Sequence, residues 1–445
     1  MYNEARVVER LLLATAEIEY PKDLLEIQVL DDSTDETTEI ANKIVREYQN
    51  KGFNIVLIHR NHRSGFKAGA LQEGLLRAAG EFIAIFDSDF IPPRDFLLKT
   101  IHYFTNAKVG LVQARWGFTN RNYSYITRFQ SILINAWVLE QFAHFKLNRF
   151  FNFHGTAGVW RKTTILDAGG WSGDTLCEDL DLSYRAKIKD WDFIYLKELI
   201  VPSELPIEIQ AFKNQQFRWF KGTTQVRIKV IPLIWKSNLP ISRKIELYTS
   251  VIEKIGGLFS CFLGFFAVHF CFVELFLFSN HTFVPLTCFG LCFCILVFSI
   301  YYSVAETEAK HKNFSFKNIS EIFFACIPVA GGISITSAYA FLDGLLGRKT
   351  PFVRTTKYGS DNQKIKQTTP ITPVTFNLIN TTEIIMALYY LNCLFFSISY
   401  IIAFKRYEIL LLLIYGSGFI YLGIQTLSAI IKTEWYKRKT LTYEP

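Results

Sequence analysis

Three acidic clusters and one Gln-Arg-Trp motif carry the chemistry that can be read in this chain. In Asp87-Ser88-Asp89 two carboxylates stand two residues apart, so in extended chain they point the same way and together reach one hard cation and a diphosphate. A Mg2+ or Mn2+ ion there would neutralise a leaving diphosphate. Acidic triplets also occur as solvated loops, and this one is set apart by the apolar run that ends at Phe86. Lys67, in Gly65-Phe66-Lys67-Ala68-Gly69, can meet a phosphate as a point charge with small neighbours beside it, or it can be a surface lysine. Cys177-Glu178-Asp179-Leu180-Asp181 offers either helix-start charge that complements the macrodipole or a general base for an acceptor hydroxyl. Gln215, Arg218 and Trp219 fall at i, i+3 and i+4, on one face of a helix, where Trp can stack on a sugar and Arg can pair with phosphate. The same pattern also suits an amphipathic membrane-proximal helix.

These residues need a frame that presents them together. Leu25 to Leu30 is an apolar run ending in Asp31-Asp32-Ser33-Thr34-Asp35 and followed by a helical pattern to about Tyr48. Asn54 to Ile58 and Phe82 to Phe86 read as further strands. Strands alternating with helices predict a mostly parallel, doubly wound α/β sheet, with ligands outside the carboxyl ends of its strands. Both acidic turns, at Asp32 and at Asp87, lie at such ends.

The 445 residues divide in character. Residues 1–235 mix charge with apolar alternation and read as the catalytic domain. Residues 236–445 hold apolar blocks separated by short basic loops and read as a membrane domain. Spans are expected at 257–278, 283–304, 383–403 and 409–431, each with roughly the 20 apolar residues a crossing helix needs. The stretch 321–346 carries Pro328, Gly331 and Gly332 and has basic residues on both flanks, so it is expected as an interfacial or re-entrant helix. Positive-inside logic then puts the catalytic half and the basic tail on the cytoplasmic side, in a multi-pass protein of the plasma (inner) membrane. The net charge of +8 is assigned to topology and membrane lipid, because no nucleic-acid-binding signature or arginine-rich arm is present. Of the eight cysteines only Cys177 lies outside the apolar half, which argues against a disulfide framework, and no Cys/His spacing suits zinc.

The order D-D, D-x-D, E-D, Q-x-x-R-W, then membrane helices, resembles the processive family 2 glycosyltransferases, and within them the cellulose-synthase-like branch of glucomannan and xyloglucan-backbone synthases and their bacterial relatives. The segments that carry the likeness are Val29 to Asp35, Lys67-Ala68-Gly69-Ala70-Leu71, Leu111 to Trp116, Gly155 to Arg161 and Gly169-Gly170-Trp171. The resemblance implies a GT-A catalytic fold in which Asp32 and Lys67 help hold the nucleotide sugar and Asp87 and Asp89 hold its diphosphate through the metal. It implies Asp179 as base, with Gln215, Arg218 and Trp219 lining the acceptor and pyrophosphate site. His154, Gly155 and Thr156 fall on the acceptor side. His154 stands where many relatives have Asn, and Cys177 where many have Thr. Residues 350–360, with Phe352, Arg354, Thr355 and Lys357, resemble a gating loop over the donor, or serve as a basic loop on anionic lipid. The reaction implied is inverting, metal-dependent hexosyl transfer from UDP-glucose first, GDP-mannose second, to a β-linked polysaccharide coupled to translocation. The alternatives are one-sugar transfer to a lipid acceptor and a catalytically impaired homologue. Relatives carry an apolar strand just before the equivalent of Tyr2-Asn3-Glu4, so the sheet here is expected to lack its first strand.

Overall fold

The structure is a computed structural model that describes residues 1–252, 283–310, 316–348, 350, 353–359, 373–404 and 409–441. In chain order the described elements begin with α1 (Val8–Ala16), β1 (Glu26–Asp31), α2 (Thr37–Asn50), β2 (Asn54–His59), α3 (Phe66–Arg77) and β3 (Phe82–Ile85). Then come β4 (Val109–Phe118), α4 (Tyr125–Lys146), β5 (Gly158–Arg161), α5 (Lys162–Asp167), α6 (Glu178–Ile188), β6 (Asp192–Ser203) and α7 (Ile209–Lys236). Beyond these lie α8 (described over 241–252), α9 (Phe283–Lys310), α10 (Phe316–Leu345), α11 (Leu378–Phe404) and α12 (Ile409–Leu441).

The three expected strands of the amino-terminal half form as β1, β2 and β3. β1 and β2 pair in parallel as a two-stranded sheet, while the other strands form a four-stranded sheet in the order β3-β5-β4-β6. That second sheet departs from the mostly parallel expectation: β5 runs antiparallel to both β3 and β4, and only β4–β6 is parallel. The reason lies in burial, since Val109 to Arg115 and Gly158 to Arg161 are buried continuously and such runs carry no mark of strand direction.

β1 and β3 are not joined to each other, and both line one cleft together with Leu71 and Leu75 of α3. The Met1 amino group donates to Leu30 O at 2.6 Å, and Asp32 N–H donates to Met1 O at 3.0 Å, so Met1 brackets Asp31 as a parallel strand would. Met1 thus pairs with the carboxyl end of β1, on the side of the cleft.

Local sequence explains how the turns that carry function are fixed. Gly65 caps α3 in the left-handed region at φ +69°, and a Cβ on Gly69 would lie 2.0 Å from Ser64 O, so the backbone ahead of Lys67 closes only around glycines. α4 opens on a Ser124/Thr127 capping box. α6 opens with Glu178, Asp179 and Asp181 in its first turn, where the positive end of the helix dipole favours carboxylates.

Helices α9, α11 and α12 cover the expected spans at 283–304, 383–403 and 409–431, whereas 257–278 lies outside the described residues. Among the described residues one helix is long and apolar enough to cross a membrane, through the window Leu378–Phe395 with mean hydropathy 1.3, so the multi-pass expectation finds no further support there. Residues 316–345 form one unbroken helix, α10, packed against α7 and α12. Phe129 and Ile132 of α4, Phe212 of α7, Ile322 and Val329 of α10 and Leu422 of α12 share a buried cluster that joins the catalytic half to the helices after it.

Candidate active site

A cleft of about 900 Å3 lies across the carboxyl ends of β1 and β3. It is lined by Asp32, Lys67, Asp87, Asp89, His154, Gly155, Glu178 and Asp179 on the sheet side, and by Gln215, Arg218 and Trp219 of α7. Arg354, Thr355 and Lys357 also reach it. Thr156 is buried behind the lining, where its hydroxyl accepts from Asp87 N–H at 2.9 Å. Phe352 lies outside the described residues.

Each carboxylate of the Asp87/Asp89 pair meets a lysine. Lys67 Nζ is 2.5 Å from Asp87 Oδ1 and 2.8 Å from Gly155 O, and 3.9 Å from Glu178 Oε1. Burial opposes its charge, but Asp87, Glu178 and Asp179 outweigh that and hold the ammonium above its ordinary value. Lys357 Nζ is 2.7 Å from Asp89 Oδ2 and 2.6 Å from Glu204 O. Glu204 also accepts from Tyr358 N–H at 2.7 Å, so the 353–359 segment is seated on Asp89 and Glu204 together.

Asp179 sits half-buried at the cleft floor, across Gly155 from Lys67. Gly155 adopts φ +80°, and a Cβ there would lie 3.1 Å from Asp179 Oδ2, so both backbone shape and close approach require glycine. Burial first, and then the Glu178 carboxylate, push the Asp179 carboxyl up to about 7. That is the range in which a general base works near neutral pH.

Aromatic rings form the opposite wall. The ring of Trp116 lies 6.3 Å from that of Trp219 and 5.8 Å from that of His154, and Trp137 packs on His154 at 4.1 Å. Burial pushes the His154 imidazole down to about 3, so it is neutral at physiological pH. Gln113 holds the segment 154–156 in place, with its Oε1 accepting from His154 N–H and its Nε2 donating to Thr156 O.

Asp32 stands differently from a free carboxylate. Arg60, buried with it, donates to both of its oxygens at 2.6 and 2.5 Å and also to Phe66 O at 3.0 Å, which ties the acidic turn to the start of α3. Arg60 and Glu204 are the two groups that sequence reasoning passes over. Both follow the carboxyl end of a strand, β2 and β6, and that position was the available signal.

Two carboxylates with room for a diphosphate suit Mg2+, which takes one or two carboxylates plus substrate phosphates. Among the described residues no cluster of three His, Cys, Asp or Glu side chains forms a closed metal cage.

Residues 1–222 match the model of the "Glycosyltransferase like family 2" family. Glucomannan 4-β-mannosyltransferase 1 of Oryza sativa subsp. japonica is 31% identical over 446 residues, covering 97% of this chain and 82% of that one. The chain belongs to the family 2 glycosyltransferases. Probable glucomannan 4-β-mannosyltransferase 3 of the same organism is 42% identical over 251 residues, 53% of this chain and 46% of that protein, so the chain spans about half the length of several curated relatives it matches. Among solved structures, the mannosyltransferase PcManGT from Pyrobaculum calidifontis, in complex with GDP-Man and Mn2+, superposes with TM-score 0.54 over 78% of this chain and 86% of that one at 18% identity. That likeness gives this glycosyltransferase the GT-A fold. The expected preference for UDP-glucose finds no support among these relatives, whose names specify mannosyl transfer.

Proposed function

We propose that this glycosyltransferase moves a mannosyl residue from GDP-mannose onto the end of a β-linked mannan or glucomannan, with inversion at the anomeric carbon. The observation that carries the reading is the Asp179 carboxyl, held at about 7 beside the Lys67/Asp87 pair and facing Gln215, Arg218 and Trp219 across one cleft. The relatives' names support mannose, and UDP-glucose becomes the second donor to test.

In this reading Asp179 takes the proton of an acceptor hydroxyl as that oxygen bonds to the anomeric carbon. The bond from that carbon to the diphosphate oxygen breaks in the same step, and the nucleoside diphosphate leaves. A single displacement with one base inverts configuration. Arg218 and Lys67 face the diphosphate, and Trp219 with Trp116 stacks the terminal acceptor sugar. A Mg2+ or Mn2+ ion held by Asp87 and Asp89 would supply charge neutralisation of the leaving group. The 353–359 segment, seated over Asp89, covers the donor and excludes water. The apolar window Leu378–Phe395 supports attachment to a membrane, for which the proposed setting is the plasma (inner) membrane with the cleft on the cytoplasmic side, where nucleotide sugars are made.

The test is incorporation of label from GDP-mannose and, separately, UDP-glucose by the detergent-solubilised full chain with Mn2+. Label in a polymer released by β-mannanase supports the reading. Label extractable into organic solvent points to a lipid acceptor instead. Nucleotide binding with no labelled product of either kind refutes transfer.

A further inference from the structure

Helix α7 presents Gln215, Arg218 and Trp219 to the cleft, and two residues before Gln215 it carries Lys213, whose side chain is 2% exposed. Lys213 Nζ lies 2.5 Å from Glu383 Oε2, 2.9 Å from Asn380 Oδ1 and 3.2 Å from Thr426 Oγ1, so the ammonium has a partner for each of its donors. Glu383 also accepts from Thr426 at 2.7 Å on Oε2 and from Thr336 at 3.2 Å on Oε1. All five side chains belong to buried residues, and they come from α7, α10, α11 and α12.

Stability is a poor explanation for such a pair. Desolvating two charges offsets most of their attraction, and an apolar pair of similar volume usually holds a fold as well. What the ion pair adds is register. An ammonium with three directed partners has one axial position and one rotation relative to the helices that supply them. At about 100° per residue, Gln215, Arg218 and Trp219 point roughly 200°, 140° and 240° away from Lys213, which is the opposite side of α7. A slip of one turn would move Trp219 by about 5.4 Å and break every bond of the cluster. At the other end of the motif Lys221 makes a second contact of this kind, 2.5 Å from Asp343 Oδ2 of α10.

We infer that Lys213 and Glu383 are positioning residues for transfer: their buried ion pair sets the rotation and register of α7, so that Gln215, Arg218 and Trp219 face the acceptor and the diphosphate. This rests on the transfer reading above.

The experiment compares the full-length native chain with K213M/E383M, an apolar pair chosen to keep the fold, and with the reversed pair K213E/E383K. K213M alone leaves Glu383 buried without its counter-charge and is used only as a folding control. For K213M/E383M the expected result is a Tm within a few degrees of native and a nucleotide Kd within about threefold, with kcat for transfer down at least tenfold. K213E/E383K should recover kcat to within about threefold of native. Native kcat in K213M/E383M, or a nucleotide Kd that falls off in parallel with kcat, would overturn the positioning role. If the native chain transfers no sugar at all, the transfer reading fails on its own. Amide exchange over residues 209–224 then decides the pair: faster exchange in K213M/E383M sustains the register role, and unchanged exchange overturns it.

Discussion

The Asp179 carboxyl is the sharpest quantitative handle on the proposed chemistry. It stands at about 7 against an ordinary 3.8, so its surroundings favour the protonated form by roughly 4 kcal/mol. As a base it acts only when ionised, so kcat/KM should climb tenfold per pH unit below about 7 and level off above it. Asp179→Asn should lower turnover by about 10²- to 10⁴-fold, the usual contribution of a positioned base, and should erase the climb. Glu178→Gln removes the second-largest cause of the shift and should move the midpoint down. The assay is nucleotide release coupled to label incorporation, from about pH 5 to about pH 9 at constant ionic strength. Folding carries the opposite signature. Because the folded value lies above the unfolded one, the native state binds the proton more tightly, and its stability falls as pH rises from 3.8 through about 7. Asp179→Asn should therefore raise Tm at pH 8 while lowering turnover. A variant that keeps more than a tenth of native turnover, or a native profile flat through pH 7, refutes the assignment.

Gly155→Ala places a Cβ 3.1 Å from Asp179 Oδ2 at φ +80° and should cost about 1–3 kcal/mol of stability by denaturant melts, with at least a tenfold loss of turnover. Unchanged stability would contradict the strained turn. Lys357→Ala removes the ammonium from Asp89, so Mn2+ should bind the nucleotide-free chain more tightly, as read by Mn2+ electron paramagnetic resonance; an unchanged Mn2+ Kd would mean that Asp89 is not part of the cation site.

The parts legible in the sequence were those written in local patterns. The apolar runs that became β1, β2 and β3 announce themselves by length and by the acidic turns that follow, and helical spacing placed Gln215, Arg218 and Trp219 together on α7. The contacts that give those residues their environment are not local. Lys357 meets Asp89 across 268 residues, and Lys213 meets Glu383 across 170. No periodicity encodes such pairings. Glu383 reads in sequence as the first residue of an apolar helix, and Lys213 as one more charge ahead of it. The direction of β5 was hidden for a related reason, because a strand buried on both faces presents the same apolar run whichever way it points.

The placement of α7 explains why the cleft lies at the seam between the two halves of the chain. Its buried residues Phe212 and Lys213 belong to the helical half, through the cluster with Ile322, Val329 and Leu422 and the ion pair with Glu383. Further along, Val226, Val230 and Ile234 belong to the catalytic half and pack with Leu180 and Tyr184 of α6. Between these two anchorages lie Gln215, Arg218 and Trp219, within about two turns of the first and about two to three turns of the second. Asp179 sits in the first turn of α6, which packs on the distal part of α7, whereas the Gln-Arg-Trp face lies between that contact and the anchorage in the helical half. A substitution in the helical half that shifts α7 therefore changes the distance from Trp219 to Asp179 without touching either residue. On the proposed reading, variants at Glu383 and at Thr426 should consequently separate nucleotide binding, assigned to Lys67 and Asp87 on the sheet, from transfer, assigned to the Gln-Arg-Trp face of α7.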